Sequence, residues 1–329
     1  MRQVSSHTVD SLAFLCSMKC LLSNVTMHSF SKILLIVFTL ITTLTLVQAE
    51  SRIAIMAAFP GEMESIRKVF ETEVIDEVRV INGTEFGLGK VHGMPAVFFI
   101  TQVSMTNAAM HTQLLLSNFD IEAIFFAGIA GGINPDLKKG DVTIPLDWVH
   151  HMQGSMYNPS SEEAGEYIVP GWRAAPDQPN FGSFFPGRVS MVKKDTEGLE
   201  RKYKIPVAQT LIDLSVSALE GSELINATGA PATLRIGGVG VAGPVFMDNR
   251  EYREYLWETW EADVLDMESS AIAHVAYSNG VPCLIVRSIS DLAGGQEGQN
   301  EIFEFAELAQ DNAARVLDAI LKSYAASRD

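Results

Sequence analysis

The chain has 329 residues, of which 47% are hydrophobic and 19% are charged, a composition typical of a globular protein with ample material for a core. Its formal net charge of −16 argues against a nucleic-acid or anionic-membrane partner, because phosphate groups repel an acidic surface. We therefore expect a protein that acts on small molecules.

The amino terminus differs in composition from the rest. Residues 27–49 contain Lys32, an apolar run from Ile33 to Val47 and a small-residue cleavage site, as in a secretory signal peptide. The run is shorter than the about 20 residues of a membrane span, although a retained signal anchor stays open. Residues 1–26 match no such pattern and are interpreted as an upstream extension. We predict a secreted or periplasmic protein whose folded domain covers residues 50–329.

Glu62 follows the first predicted strand of that domain. Residues 51–58 form an apolar run, and Met63, Ile66 and Phe70 then recur at helical spacing. The acid therefore lies where a strand passes into a helix. Two interpretations are open, because an acid in a first helical turn can simply stabilise the helix dipole, by about 0.3–1 kcal/mol, or can serve chemistry.

The middle of the chain continues the alternation of strands and helices. A hairpin, a helix and a third strand are predicted over residues 85–101, 107–119 and 124–126. Residues 148–188 are rich in glycine, proline, serine and aromatic side chains, and we predict a long loop there, which in a compact domain is usually functional or mobile. The histidine pair at 150–151 has no acid or cysteine at ligand spacing, so we expect no metal.

A glycine-rich segment follows the third predicted strand. Residues 128–132 read GIAGG and include Ala130 and Gly131. We interpret this segment as a loop, in which the missing glycine side chains let the backbone approach a ligand closely. Further on, Phe246 and Met247 precede a typical helix N-cap. These two side chains either belong to the core or contact a ligand.

Residues 263–293 organise the chain as strand, helix and strand. Gly280 ends the helix, because glycine accepts the left-handed conformation, and 283–286 form a continuous apolar run typical of a parallel strand. Glu268 and Asp291 follow the two strands. They are either loop acids that face water or ligand-binding groups at the sheet edge where α/β proteins bind small molecules.

Two motifs carry a family resemblance. Residues 266–291 contain DME-x-x-AIAxVA followed by VP-x-x-x-VR-x-ISD, and residues 128–142 read GIAGGINPDLKKGDV. Together they resemble the purine nucleosidase and phosphorylase superfamily, above all the 5′-methylthioadenosine/S-adenosylhomocysteine nucleosidases. The resemblance covers residues 52–322, and its wording is closest to the plant bark and vegetative storage protein branch. The pattern of elements and this resemblance predict a three-layer α/β/α sandwich with a mixed central sheet.

The resemblance implies a reaction and its participants. Hydrolysis of an N-glycosidic bond needs a protonated leaving base, a stabilised sugar cation and a nucleophile. Asp291 would protonate the purine, with Ser290 orienting its carboxyl, and Glu62 would deprotonate the attacking water. Glu268 would bind the ribose hydroxyls, with Met267 against the sugar.

The resemblance also implies contacts to the base. Phe246 would stack on adenine and the Met247 backbone would read the base edge, while Ala130 and Gly131 would lie along the purine and ribose. Arg287 is interpreted as an orienting partner in the site wall, and an ordinary salt bridge is equally open. The implied partners are a purine nucleoside and a second copy of the chain, in a homodimer or higher oligomer, with no cofactor.

Two alternatives stay open. A phosphorolytic enzyme would need arginines and serines around phosphate, whereas residues 102–107 contain no arginine and Glu62 would repel the anion. A storage or nucleoside-binding protein could keep the fold without turnover, although three retained acids argue against it. Ile129 and Asp266 differ from the serine and glutamate that many of the nucleosidases carry, which leaves substrate preference open.

Overall fold

The structure is a computed structural model that describes residues 50–70, 74–161, 165–173 and 176–328. The predicted upstream extension and signal peptide, residues 1–49, lie outside these ranges. Residues 50–329 form one compact unit. Within the described ranges no helix is both long and apolar enough to cross a membrane.

The strands of the described residues form one large mixed sheet and two small ribbons. Along the main path of the large sheet the order is β12-β7-β14-β15-β5-β1-β4-β3-β2, with β16 attached to β5, β6 to β16 and β13 to β6. The mixed sheet predicted from the sequence is thereby confirmed. The strands are β1 Arg52–Ala57, β2 Val74–Ile81, β3 Thr84–Val91, β4 Met94–Ile100, β5 Ile121–Gly132, β6 Val142–Ile144, β7 Asp147–His150, β8 Gly154–Met156, β9 Phe184–Pro186, β10 Val189–Met191, β11 Glu200–Lys202, β12 Lys204–Pro206, β13 Leu234–Ile236, β14 Val239–Ala242, β15 Ala262–Asp266 and β16 Cys283–Asp291.

Strand β5 lies at the centre of this sheet. It runs parallel to both β1 and β16, and its last residues pair antiparallel with β15. The loop predicted for residues 128–132 was wrong, because pairing with β15 and β16 extends the strand to Gly132. Glycine is needed at Gly128 for another reason. A Cβ atom there would collide with the side chains of Glu62 and Arg287.

Helices flank the sheet in two groups. In the first group, α6 packs on β16 and β5, and α1 and α3 both pack on α6. In the second group, α5 lies against β14 and β7, and α2 packs on α5. This arrangement agrees with the predicted three-layer sandwich. The helices are α1 Pro60–Val69, α2 Met105–Asn118, α3 Gln209–Ala218, α4 Arg250–Trp260, α5 Ser269–Asn279 and α6 Ile302–Ala326.

The helix ends are set by local chemistry close to the site. Asn249 caps α4, because its side chain accepts a hydrogen bond from the backbone N–H of Tyr252 at 2.8 Å. Gly280 ends α5 in the left-handed conformation with φ of 69°, as predicted. This stop returns the chain to β16, all of whose residues are buried between the helix layers.

The long loop predicted over residues 148–188 was partly wrong. Trp148 is fully buried in β7, and residues further on form the ribbon β8–β9. The buried indole provides the apolar contact that keeps this first part in the large sheet. The aromatic side chains differ in environment, since Phe181 packs on Tyr252 with ring centroids 4.8 Å apart, whereas Trp172 is 81% exposed.

Candidate active site

A cavity of about 210 Å³ opens beside the carboxyl ends of β1, β5, β15 and β16. Ligands bind at this edge of α/β sheets because loops and helix ends converge there. The cavity is lined by nine of the ten residues singled out from the sequence, namely Glu62, Ala130, Gly131, Phe246, Met247, Met267, Glu268, Ser290 and Asp291. The structure therefore brings together residues that are up to 229 positions apart in the chain.

Glu62 lies in the first turn of α1, directly after β1. Its Oε2 accepts the N–H of Ala58 at 2.7 Å and its Oε1 accepts the N–H of Ile129 at 2.9 Å. Burial raises the pKa of this carboxyl above its usual 4.5, although the nearby Arg287 opposes the shift. Glu62 is therefore a better proton acceptor than an exposed glutamate.

Arg287 is fully buried behind the cavity wall and does not line the cavity. Its guanidinium lies 3.6 Å from Glu62 Oε1, 3.6 Å from Glu268 Oε2 and 2.7 Å from Asp266 Oδ2. One face of it packs on the Phe126 ring, 4.1 Å from the centroid. Arg287 is thus the shared counter-ion of three acids, and the orienting role stays a prediction.

Asp266 is a site residue that the sequence analysis did not single out. Its Oδ1 accepts the N–H groups of Glu268 and Ser269, both at 2.9 Å, and the Ser269 hydroxyl donates to its Oδ2. Asp266 holds Nε of Arg287, so the outer nitrogens point towards the two glutamates. Asp266 could have been found from the sequence by its position two residues before Glu268, at the end of an apolar strand.

Glu268 precedes α5 and faces the cavity. Its Oε1 accepts the N–H of Ser104 at 2.9 Å. Burial, together with the negative charge of Asp266, raises the pKa of Glu268 to about 8 against the opposing effect of Arg287. Three acids therefore share one guanidinium here.

Asp291 is the last residue of β16 and lines the same cavity as Glu62. Its Oδ1 accepts the N–H of Ala293 at 2.9 Å and its Oδ2 lies 2.9 Å from the hydroxyl of Ser290. The Ser290 hydroxyl also lies 3.3 Å from the carbonyl oxygen of Ala130, its second possible acceptor. The single hydroxyl hydrogen of Ser290 can therefore be donated either to Asp291 or to β5, and the orienting role of Ser290 stays a prediction.

The mouth of the cavity is apolar and more open. Phe246 lines it and is 57% exposed. Sequence reasoning missed Phe59, Val103 and Ile302, which also line the cavity. Phe59 and Val103 lie in two connections and Ile302 is the first residue of α6. They carry no pattern beyond being apolar, so only the folded chain reveals them.

A larger cleft, of about 570 Å³, lies elsewhere and contains Lys68, Asp318 and Lys322. Lys68 is 3.0 Å from Asp311 and Lys322 is 2.7 Å from Asp318, so its lysines already have partners. No group of three or more metal-ligating side chains occurs among the residues that the structure describes. The smaller cavity with its buried acids is the stronger candidate for chemistry.

A mixed α/β sheet with carboxylates gathered at its strand ends defines an enzyme of acid–base chemistry on a small molecule. The chain belongs to the phosphorylase superfamily, whose family model matches residues 52–322. The family resemblance read from the two motifs is therefore confirmed.

Curated relatives agree with this assignment, and solved structures agree with the fold. A 5′-methylthioadenosine/S-adenosylhomocysteine nucleosidase of Geobacillus thermodenitrificans is 30% identical over 270 residues, which cover 82% of this chain and 95% of that protein. The nucleosidase of Marinomonas sp. is 26% identical, with coverage of 83% and 99%. Among structures, the Helicobacter pylori nucleosidase aligns with a TM-score of 0.61 at 22% identity, covering 83% of this chain and 99% of that one. Futalosine hydrolase of the same organism also aligns with a TM-score of 0.61, at 21% identity and coverage of 83% and 97%.

Proposed function

We propose that the protein hydrolyses the N-glycosidic bond of an adenine nucleoside and releases adenine. The candidate substrates are 5′-methylthioadenosine, S-adenosylhomocysteine and adenosine. The observation that carries the proposal is the convergence of Glu62, Glu268 and Asp291 on one cavity, in a chain whose curated relatives are named nucleosidases.

In the proposed reaction Asp291 and Glu62 transfer protons at opposite ends of the breaking bond. Asp291 donates a proton to the imidazole nitrogen of the purine, and the electron pair of the glycosidic bond moves to the base. The oxygen of a water molecule forms a bond to the sugar carbon. Glu62 takes the proton that this water loses, for which its raised pKa is suited.

The remaining residues would hold the substrate. Glu268 would bind the ribose hydroxyls, and Met267, its neighbour at the cavity wall, would pack against the sugar. Phe246 and Met247 would contact the base, since both line the cavity from the connection that follows β14. Ala130 and Gly131 would lie along the nucleoside, because the glycine leaves the backbone of β5 accessible.

The charges around the cavity favour water over phosphate as the nucleophile. Glu62, Asp266 and Glu268 lie around Arg287, the only guanidinium that the structure places against these acids in its described residues. That guanidinium is behind the wall and already serves three carboxylates. A phosphate dianion would meet acids rather than free donors, and such groups require converging cations.

Export and self-association are further parts of the proposal. The signal-like residues 27–49 motivate export. Export would be refuted if amino-terminal sequencing showed that the mature protein still begins at Met1.

Self-association is motivated by exposed apolar side chains. Val103, which lines the cavity, is 44% exposed, and Met110 on α2 is 45% exposed, as expected of surfaces that a second copy covers. Sedimentation of the protein as a monomer at micromolar concentration would refute a homodimer.

Adenine release tests the proposed reaction. The protein is incubated with each of the three nucleosides in phosphate-free buffer, and free adenine is measured by chromatography. We expect release from at least one of them, with no increase when phosphate is added. Tight binding of adenine without any turnover would instead indicate a storage or binding protein.

A further inference from the structure

Asn300, which lies just before α6, bridges two acids from distant segments. Its Nδ2 is 3.1 Å from Asp291 Oδ1 and 3.1 Å from Asp248 Oδ1. A side-chain amide nitrogen carries two hydrogens, so it can donate to both carboxylates at once. Its Oδ1 accepts the N–H of Ile302 at 3.0 Å, which fixes the orientation of the amide.

The contact with Asp291 completes the set of donors around one carboxyl oxygen. Oδ1 of Asp291 accepts the N–H of Ala293 and the amide of Asn300, whereas Oδ2 has the Ser290 hydroxyl as its described donor. A carboxylate oxygen offers two lone-pair positions. Both positions on Oδ1 are occupied, so the transferable proton belongs on Oδ2.

The contact with Asp248 ties the same amide to the segment that carries Phe246 and Met247. Asp248 directly follows Phe246 and Met247, and its Oδ1 also accepts a hydrogen bond from Gln296 at 2.7 Å. The backbone N–H of Asn249 donates to the carbonyl oxygen of Ala293 at 3.2 Å. The segment after Asp291 and the segment proposed to contact the base are thus joined, and Asn300 reaches both acids.

We propose that Asn300 is a positioning residue for Asp291. It fixes the position of the Asp291 carboxyl relative to the segment proposed to contact the base, and it directs the proton to Oδ2. The proton donor then lies in a fixed position relative to the bound purine. This inference rests on the proposed hydrolysis, since Asp291 needs such a partner only if it donates a proton. Asn300 itself need not touch the substrate.

The test compares Asn300→Ala with Gln296→Ala. Gln296 donates to the same oxygen of Asp248 from the same segment, and the structure gives it no hydrogen bond to Asp291. A hydrogen bond to a charged group is typically worth about 1.5–3 kcal/mol, so Asn300→Ala should lower kcat about 10- to 100-fold, with KM changed less than about threefold. Gln296→Ala should keep kcat within about threefold of the wild type. Asn300→Ser is the second variant, because a hydroxyl has one hydrogen and cannot donate to both Asp291 and Asp248.

A double-mutant cycle separates positioning from a merely structural role. If Asn300 acts through Asp291, Asn300→Ala should cost no further activity in the Asp291→Asn background, as measured with excess enzyme over long incubations. The role is overturned if both Asn300 variants retain wild-type kcat, if Gln296→Ala loses as much as Asn300→Ala, or if the loss persists undiminished in the Asp291→Asn background. Wild-type turnover is measured first, because its absence would overturn the proposed hydrolysis and the role of Asn300 together, whereas the other outcomes concern Asn300 alone.

Discussion

The two walls of the cavity are built in different ways. On the inner wall, Glu62, Asp266 and Glu268 are buried around Arg287, and each accepts at least one backbone N–H. On the outer wall, Phe246 is largely exposed and is followed by an exposed acid. Charge effects are strong where water is excluded and weak where it is not. From this difference we expect changes in the inner wall to lower the rate of reaction and changes in the outer wall to weaken substrate binding.

The largest expected effect is on the proton-transfer groups. Glu62→Gln and Asp291→Asn each remove one such group while keeping the shape of the side chain. Proton transfer of this kind typically contributes 10²- to 10⁴-fold, so kcat should fall by about that range in either variant. Steady-state adenine release measures it. Glu64→Gln, an exposed acid two residues further along α1, is the matched control and should leave kcat unchanged.

The positions of these acids could be predicted from the sequence, because each follows an apolar strand at the edge where parallel strands end. The contacts that Arg287 makes with these acids could not be predicted from the sequence. The packing of β5, β15 and β16 determines which nitrogen of Arg287 faces which acid. From the sequence, Asp266 was noted only as a difference from the nucleosidases, and its contact with Arg287 was not predicted. The contact between Asn300 and Asp248 joins residues 52 positions apart, and no local pattern indicates it. The glycines at 128–132 were misinterpreted as a loop because strand pairing partners are not visible in a local composition.

The second prediction concerns the stability of the inner wall. Arg287→Met would leave three buried acidic side chains without their shared cation, and loss of one partner from a buried ion pair typically costs about 3–5 kcal/mol. The free energy of unfolding, measured by urea denaturation at pH 7, should fall by about that amount. Lys322→Met removes an ion pair whose lysine side chain is 63% exposed and whose Asp318 also contacts His92, so it should produce little change. Equal losses in the two variants would contradict the difference drawn between buried and exposed charges.

The third prediction is a pH dependence of stability that comes from Glu268. Its carboxyl has a pKa of 4.5 in the unfolded chain and about 8 in the folded one, so between these values the folded state binds more protons. The contribution of Glu268 to stability is therefore complete at low pH and is lost as the pH rises towards 8. Urea midpoints of the wild type should fall from pH 5 to pH 8 more steeply than those of Glu268→Gln. Parallel curves for the two proteins would show that Glu268 does not titrate in this window.

The smallest expected effect is on the outer wall. Phe246→Ala removes an aromatic ring that is already 57% exposed, so the unfolding free energy should hardly change. Aromatic pairs are worth about 0.5–1.5 kcal/mol beyond the area they bury, so KM should rise about 2- to 10-fold while kcat stays near its wild-type value. A large fall in kcat with unchanged KM would place Phe246 with the inner wall instead.

The nature of the sugar product tests the central claim most directly. The protein is incubated with 5′-methylthioadenosine in buffer that contains millimolar phosphate, and the sugar product is identified by mass spectrometry. Hydrolysis, as the acid-rich inner wall favours, predicts free 5-methylthioribose together with adenine and no phosphorylated sugar. Formation of the sugar 1-phosphate would contradict the account, because it would mean that a phosphate dianion reaches the sugar past Glu62 and Glu268.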